Sequence, residues 1–456
     1  MASLSSCELT KLSKVAKHLL PSTCSISSSP SSSFSTSTNT GQLPEHLKNL
    51  NVTIAGGGHA AHILVGMLHE SLPSASQLNL FAPFKDEAEK WTKSPGVVVN
   101  MRGERDLPLA KPNIASKDPA LVIPQADLVI MPIPSFAIEP TLRKIIPHLK
   151  KNCYLGAVPG NGGFHMTAQR LVHEEAGRRD VVLWGTNQLP LNCRFTKYAE
   201  KATCLTTKDA VKLATVPEEG VTTVATVLNT LLSPIHFSRV HHVLTLNLSC
   251  SNNVIHSGRL YNLFHEWGPN GTNPSFAENP TFYESMDEST MKCMQDVSDD
   301  LRAIVTRLSE LTKDPTYLED WNDIYNAMKE YYKSSISDDS KLLYCFTKNS
   351  GYTGLLTPMK QLDNKRWVPD FTSRYFVEDI PYGLCMAKGI AEILNVETPT
   401  IDKYIVWAQA NFGKEYVVNG RLIGKDMHET AAPQTFGIYD LESLLAGVAK
   451  SPKSKL

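Results

Sequence analysis

A short glycine turn is the clearest chemical signal in the sequence. The apolar stretch 51–55, NVTIA, runs into Gly-Gly-Gly-His-Ala-Ala, and a helical pattern, HILVGMLHE, follows. Gly56 allows a tight turn, Gly58 lets the backbone approach a ligand, and Ala61 permits close helix packing, as in the Gly-x-Gly-x-x-Gly/Ala fingerprint. The next helix offers free N–H groups to phosphates. The pattern predicts that a dinucleotide pyrophosphate binds at Gly56, Gly57, Gly58, His59, Ala60 and Ala61.

Two charged residues after the second predicted strand bear on which dinucleotide binds. An acid at this position commonly holds the adenosine ribose of NAD. Strand 78–81 is followed instead by Ala-Pro-Phe, then by Lys85 and Asp86. Asp86 can reach a ribose and Lys85 can meet a 2′-phosphate, so NAD and NADP both stay open, with NADH slightly favoured.

Further apolar segments predict the doubly wound parallel sheet to which the turn belongs. Segments 128–131 and 153–158 have the continuous apolar character of buried strands, and the stretch 181–214 is expected to complete the sheet. Ligands of such sheets lie at the carboxyl ends of the strands. Ordinary loop formation explains the same residue types equally well. On the ligand interpretation, the residues near the nicotinamide are Pro134, Ser135, Pro159 and Gly160.

The second half of the chain carries mostly helical patterns, at 296–311, 321–332 and 382–394. We therefore predict an α/β domain of the Rossmann type, followed by an all-α domain that closes over it and excludes water. The predicted division is a Ser/Thr-rich disordered leader at 1–47, a dinucleotide-binding domain at 48–236, a helical substrate domain at 237–449 and a flexible tail at 450–456.

Composition narrows the class of protein. Lys and Arg number 45 against 46 Asp and Glu, so no overall field attracts nucleic acid or an anionic membrane. No apolar run approaches the roughly 18 residues of a membrane span. The nine cysteines lack the spacing of a zinc site, and no metal is expected. These features favour an enzyme of small molecules, although they also suit a protein-binding module.

Four further segments follow the glycine turn in a fixed order: LFAPFKDEAEKW at 80–91, NQLPLNCR at 187–194, NNVIH at 252–256 and RYFVEDIPYGL at 374–384. With the turn, these segments resemble the opine dehydrogenase family and extend over residues 50 to 410, nearly the whole chain apart from its ends. The resemblance implies a Rossmann domain, a helical domain and an active site in the cleft between them.

The resemblance also implies a catalytic set of three residues. His256 matches the family histidine that acts as acid and base on the carbonyl, Asp379 would orient its imidazole, and Arg374 would pair with a substrate carboxylate. Without the resemblance, a lone histidine is more often structural, and Arg374 and Asp379 form an ordinary surface ion pair. Four residues are expected either to line the amino-acid pocket or to pack in the core: Trp267, Tyr283, Glu284 and Tyr352.

The implied reaction is the NAD(P)H-dependent reductive condensation of an L-amino acid with a 2-oxo acid such as pyruvate. Two alternatives stay open. A simple 2-oxo acid or 2-hydroxy acid reductase would share the same fold plan and need no amine. A non-catalytic dinucleotide-binding protein would bind the cofactor at the glycine turn without catalysing a reaction.

The two ends of the chain carry possible address signals. The last residues, Ser454, Lys455 and Leu456, form the tripeptide that a peroxisomal import receptor reads. A peroxisome or related microbody is therefore expected, with the cytoplasm as the alternative. The segment 4–20 has an amphipathic pattern but no arginine, which makes a mitochondrial or plastid transit peptide the weaker interpretation.

Overall fold

The computed structural model describes residues 48–450. The predicted leader at 1–47 and the terminal residues 451–456, which carry the predicted import signal, lie outside the described residues. Within the described range, no helix is long and apolar enough to cross a membrane.

The strands occupy mainly the first half of the described chain. In chain order they are β1 Val52–Ala55, β2 Leu78–Phe81, β3 Val98–Met101, β4 Arg105–Asp106, β5 Ile114–Ser116, β6 Leu128–Met131, β7 Tyr154–Ala157, β8 Val182–Thr186, β9 Leu191–Lys197, β10 Lys201–Thr207, β11 Ala210–Val216, β12 His236–Arg239, β13 Met359–Gln361 and β14 Trp367–Pro369.

Eight of these strands form the main sheet, in the order β12-β11-β8-β7-β6-β1-β2-β5. The six strands from β8 to β5 are parallel, and β11 joins β8 in the antiparallel direction. Alternate side chains of β6 enter two different cores: Leu128 and Ile130 on one face, Val129 and Met131 on the other. Burial on both faces explains why this strand has a continuous apolar sequence. The predicted doubly wound sheet is confirmed.

Part of the stretch 181–214 does not complete that sheet. β8 and β11 do join it, but β9 and β10 pair with each other and with β3 and β4 in a separate four-stranded sheet. β9 alternates between buried and exposed residues, with Leu191 and Cys193 buried and Arg194 exposed. A strand with one solvated face suits a small covering sheet, and this sheet packs on the helix that follows the glycine turn.

Helices occur throughout the described chain and dominate its second half. They are α1 His59–Ser71, α2 Glu87–Lys93, α3 Pro119–Val122, α4 Ile138–Ile145, α5 Phe164–Ala168, α6 Val221–Leu231, α7 Val243–Leu248, α8 Ser251–Phe264, α9 Glu288–Thr312, α10 Thr316–Glu319, α11 Ile324–Tyr331, α12 Leu342–Thr347, α13 Arg374–Val377, α14 Cys385–Leu394, α15 Pro399–Asn411 and α16 Leu441–Ala446. Two π-helical segments, Gln169–Glu175 and Asp379–Leu384, follow α5 and α13.

The long helix α9 organises the helical domain. Asp287 caps its N-terminus by accepting a hydrogen bond from the Thr290 N–H. Its buried apolar residues recur every three or four positions and face the helical core: Met291, Met294, Val297, Leu301, Ile304, Val305 and Leu308. Each fully buried aliphatic side chain contributes about 1.5 to 3 kcal/mol relative to exposure, so packing rather than helix propensity stabilises this element.

The boundary between the two parts lies slightly later than the sequence predicts. The predicted Rossmann domain ends at residue 236, whereas β12 continues the main sheet to Arg239. The predicted helices at 296–311, 321–332 and 382–394 correspond to α9, α11 and α14. The second part also contains the small hairpin of β13 and β14, which the sequence patterns do not indicate.

Candidate active site

The glycine turn joins β1 to α1 and borders an open space, which we call the mouth of the turn. Gly56 has a φ of +138°, and a Cβ there would lie 2.5 Å from the Cγ2 of Ile133, so a side chain is excluded. A Cβ at Gly58 would meet nothing within 4 Å, and no side chain caps the N-terminus of α1. Backbone N–H groups therefore face open space, an arrangement that fits a dinucleotide pyrophosphate.

The small covering sheet of β4, β3, β10 and β9 stabilises the glycine turn through residues of β9 and of the turn between β9 and β10. The Tyr198 hydroxyl donates to Gly57 O at 3.0 Å, and the Phe195 N–H donates to His59 Nδ1 at 3.1 Å. His62 Nδ1 lies 2.8 Å from Gly58 O, while its Nε2 accepts from the Ala199 N–H at 2.9 Å. Burial lowers the pKa of His62 to about 4, so the ring is neutral and donates through Nδ1.

The two candidates for cofactor selection have exposed side chains. Asp86 forms an exposed ion pair with Lys90 at 3.0 Å, and the side chain of Lys85 is exposed beside Phe84. Glu87, the first residue of α2, instead places its carboxylate where a Cβ of Gly57 would lie. Burial raises the pKa of Glu87. Sequence reasoning missed Glu87 because it lies one residue beyond the position considered.

The loops after β6 and β7 contact the helical domain. Ser135 begins the 3₁₀ helix that follows the loop after β6, and its N–H donates to Glu378 Oε1 at 2.7 Å. Pro134 precedes this contact, and Pro159 follows the carboxyl end of β7 through a cis peptide bond. In the same loop as Pro159, the Asn161 amide donates to Asn187 O at 3.2 Å. The predicted nicotinamide residues thus border the cleft between the two parts of the chain.

Across this cleft, His256 and Asp379 form a buried pair. His256 lies on α8 and Asp379 begins the π-helical segment, and His256 Nδ1 is 2.7 Å from Asp379 Oδ2. An ionised carboxylate only accepts hydrogen bonds, so Nδ1 carries the proton and Nε2 is left for a substrate. The Tyr375 ring stacks on the imidazole with centroids 3.8 Å apart, and Phe282 contacts it edge-on at 5.6 Å.

Arg374 completes the predicted set but is not paired with Asp379. It is exposed at the start of α13, and no carboxylate oxygen within 4 Å pairs with it among residues 48–450. Burial, the Arg194 charge and the Arg374 charge lower the pKa of His59, so both guanidinium groups act on the mouth of the turn. The surface ion pair considered as an alternative for Arg374 and Asp379 is not formed.

The four candidate pocket residues divide into two groups. Tyr283 and Tyr352 are buried and stacked 3.7 Å apart, and Tyr283 hydrogen-bonds to Tyr375, which stacks on His256. Trp267 donates to Pro274 O at 2.9 Å, and Glu284 accepts from the Gly354 N–H at 2.8 Å. Tyr283 and Tyr352 therefore contact the site through Tyr375, whereas Trp267 and Glu284 stabilise loops.

The chain is similar to known proteins over most of its length. The chain is 32% identical to octopine dehydrogenase of Mizuhopecten yessoensis over 409 residues, which cover 87% of this chain and 99% of the relative. It is also 32% identical to tauropine dehydrogenase of Arabella iricolor over 408 residues, 86% of this chain and 99% of the relative. The chain belongs to the opine dehydrogenase family. It is accordingly an NAD- or NADP-dependent oxidoreductase of the class that acts on CH–NH groups.

Two further comparisons locate the family features along the chain. Residues 239–412 match the family model described as NAD/NADP octopine/nopaline dehydrogenase, alpha-helical domain. A solved structure of octopine dehydrogenase, described as a complex with NADH and L-arginine, superposes with a TM-score of 0.77 at 28% identity, over 88% of this chain and 99% of that one. The predicted membership of the opine dehydrogenase family and its two-part fold are therefore confirmed.

Three residues that contact the candidate site escaped sequence reasoning. Tyr375 and Glu378 lie inside the RYFVEDIPYGL segment, and Glu87 lies inside LFAPFKDEAEKW. Their positions within the opine dehydrogenase segments were the available signal, because their residue types alone indicate nothing about their neighbours.

Proposed function

We propose that this opine dehydrogenase joins an L-amino acid to pyruvate, with His256 as the acid and base. The observation that carries the proposal is the buried His256–Asp379 hydrogen bond of 2.7 Å at the cleft where the loops after β6 and β7 meet the helical domain. The relatives support the substrate class, because solved octopine dehydrogenase structures are described with NADH and L-arginine and with NADH and pyruvate.

The proposed chemistry assigns proton transfer to the histidine. His256 Nε2 first takes a proton from the substrate ammonium, and the resulting amine attacks the pyruvate carbonyl carbon. The imidazolium returns that proton to the oxygen, which leaves as water after a second proton passes to it from the attacking nitrogen through the same ring, so that the protonated imine forms. The dinucleotide, when bound, supplies the hydride that reduces the imine to a secondary amine. Asp379 keeps the proton on Nδ1 and stabilises the cationic imidazolium. Overall, an amino acid, pyruvate, NADH and a proton give the opine, NAD⁺ and water.

Arg374 is proposed to bind a substrate carboxylate. It is the exposed cation of the segment that also carries Tyr375 and Asp379, and no carboxylate of the described chain neutralises it within 4 Å. Charge-assisted hydrogen bonds from a guanidinium to a carboxylate are strong and orienting. Such a contact would hold a 2-oxo acid near the imidazole.

Glu87 is proposed to favour NADH over NADPH. Its carboxylate lies beside Gly57 after β2, where an acid accepts hydrogen bonds from the adenosine ribose hydroxyls and repels a 2′-phosphate. Glu87→Gln should weaken NADH binding about tenfold and narrow the preference over NADPH. Fluorescence titration with both dinucleotides measures this, with Glu89→Gln on the exposed side of α2 as a control. An unchanged preference would reject the assignment.

The enzyme is further proposed to act in peroxisomes or related microbodies. Support comes from the terminal Ser454-Lys455-Leu456, which matches the tripeptide that a peroxisomal import receptor binds. Deleting these three residues from a chain tagged at an internal loop should leave the enzyme in the cytoplasm. Continued import after the deletion would contradict the proposal.

The decisive test of the reaction is NADH oxidation at neutral pH. We expect oxidation to require pyruvate together with an amino acid from a set of alanine, glycine, taurine, arginine and lysine. The His256→Ala variant should lose about 100-fold to 10,000-fold in rate while its NADH affinity stays unchanged. Oxidation with pyruvate alone would indicate a simple 2-oxo acid reductase. No oxidation with NADH or NADPH would indicate a non-catalytic dinucleotide-binding protein.

A further inference from the structure

One carboxylate at the cleft has a buried oxygen without a donor. Glu378 Oε1 accepts the Ser135 N–H at 2.7 Å, and the Ser135 hydroxyl also lies close enough to the carboxylate to lower its pKa, but the buried Glu378 Oε2 accepts no well-oriented hydrogen bond from any residue in 48–450. Burial raises the pKa of Glu378, which reflects the cost of a carboxylate removed from water. Leaving a buried acceptor unsatisfied costs about 1 to 3 kcal/mol, so a missing donor is expected at this point.

The position of Glu378 limits what that donor is. Ser135 begins the 3₁₀ helix that follows the loop at the carboxyl end of β6, where the nicotinamide of a Rossmann protein lies. Asp379, the next residue after Glu378, holds His256 at 2.7 Å. The Glu378 carboxylate therefore links the end of the cleft where the cofactor binds to the segment that holds the catalytic imidazole.

Two N–H donors of the proposed reaction come to this region. One is the carboxamide NH₂ of the nicotinamide, and the other is the amine of the amino-acid substrate. Both have the same chemistry toward a carboxylate oxygen, which accepts their N–H groups. Arg374 and Asp379, the charged groups nearest in sequence, act on the Glu378 pKa in opposite directions. Arg374 favours the charged form of the Glu378 carboxylate, and Asp379 disfavours it.

We propose that Glu378 Oε2 receives an N–H donor of the bound reactants and positions that reactant against His256. Glu378 is thus a binding and positioning residue, additional to the His256, Arg374 and Asp379 set. The inference rests on the proposed function for its amine source, whereas its carboxamide source requires only dinucleotide binding. The hydrogen bond between Glu378 Oε1 and the Ser135 N–H also joins the two domains at this position.

The test uses the full-length chain with Glu378→Gln. This variant keeps an oxygen for the Ser135 N–H and replaces Oε2 with an NH₂ group, which cannot accept. Glu310→Gln, an exposed residue of α9 paired with Arg307, serves as the matched control. For each protein we would measure the dissociation constants of NADH and of ADP-ribose by titration, the melting temperature, and the KM of the amino acid at saturating NADH.

Each outcome has a separate meaning. If the carboxamide is the donor, NADH binding should weaken about tenfold or more while ADP-ribose, which lacks the nicotinamide, binds unchanged. If the amine is the donor, NADH binding should be unchanged and the KM of the amino acid should rise by a similar factor. Equal weakening of NADH and ADP-ribose would reduce Glu378 to a domain contact and overturn the proposal, as would no change in any constant. If wild type fails to condense pyruvate with an amine, the proposed function fails, and the two dissociation constants alone decide the role of Glu378.

Discussion

The two ends of the cleft are built by different means. At the cofactor end, the turn from Gly56 to Ala61 acts mainly through its backbone, and five of its six residues are glycine or alanine. At the catalytic end, His256 and Asp379 are 123 residues apart and act through their side chains. A backbone site is visible as a local pattern, whereas a side-chain site depends on how distant segments pack. The two ends should therefore fail differently when altered.

The largest effect is expected at the catalytic end. Asp379→Asn should lower kcat about 1,000-fold to 10,000-fold, because an amide beside Nδ1 no longer fixes the productive tautomer. NADH affinity should stay unchanged, since the glycine turn is untouched. Stopped-flow and steady-state rates measure the loss, and Asp296→Asn on the surface of α9 provides the control. A variant that weakened NADH binding as strongly as turnover would erase the distinction between the two ends.

Two glycines of the turn have different roles. Gly58 leaves space for the ligand, whereas Gly56 has a backbone conformation that the fold requires. Gly58→Val should weaken NADH binding on the order of 100-fold, because its side chain fills the open space before α1 at a cost of about 2 to 3 kcal/mol. The melting temperature should hardly change. Gly56→Ala should instead reduce the free energy of unfolding by about 1 to 3 kcal/mol, since its φ of +138° excludes a Cβ. Titration with NADH and thermal denaturation of both variants provide the comparison.

A smaller effect is expected from the ring that stacks on His256. Tyr375→Leu should reduce kcat about tenfold, because the loss of a stacked aromatic contact costs about 0.5 to 1.5 kcal/mol and loosens the imidazole. Tyr375→Phe keeps the ring and should remain near the wild-type rate. Equal losses in the two variants would point to the hydroxyl and its bond to Tyr283 instead.

The last expected effect concerns the pH dependence of stability and the cofactor end. Because the His62 pKa falls from 6.5 to about 4 on folding, the unfolded chain binds its proton first as the solution is acidified. The contribution of His62 to stability is therefore complete above pH 6.5 and is lost as pH falls toward 4. Denaturant titrations should show a shallower decline for His62→Gln, whereas replacement of the exposed His428 by Gln should follow wild type. Parallel curves for His62→Gln and wild type would contradict this assignment.

Sequence patterns predicted the central strands well because burial on both faces demands continuous apolar runs. β2 and β6 coincide with the predicted segments 78–81 and 128–131. The covering sheet was missed because β9 and β10 alternate in character and pair with β3, whose four residues carry little pattern of their own. Strand pairing between segments about 100 residues apart is not encoded in either segment alone.

The site was predictable to different depths at its two ends. The glycine turn follows from spacing and residue type, whereas His256, Arg374 and Asp379 were indicated only by the family resemblance. Their catalytic roles stay a prediction, although the structure places His256 and Asp379 in contact. Glu87 and Glu378 were not predicted because an acid on a helix is usually solvated, and only the folded chain shows which acids face a cleft.

The support of the glycine turn by residues 195–199 has a consequence for biosynthesis. The turn is complete in sequence by Ala61, yet the hydrogen bonds to His59, His62 and Gly57 come from a segment more than 130 residues later. At about 5 to 20 residues per second of translation, that segment follows about 7 to 27 seconds behind. A nascent chain paused before residue 195 would carry the dinucleotide motif on the ribosome without the scaffold that shapes it.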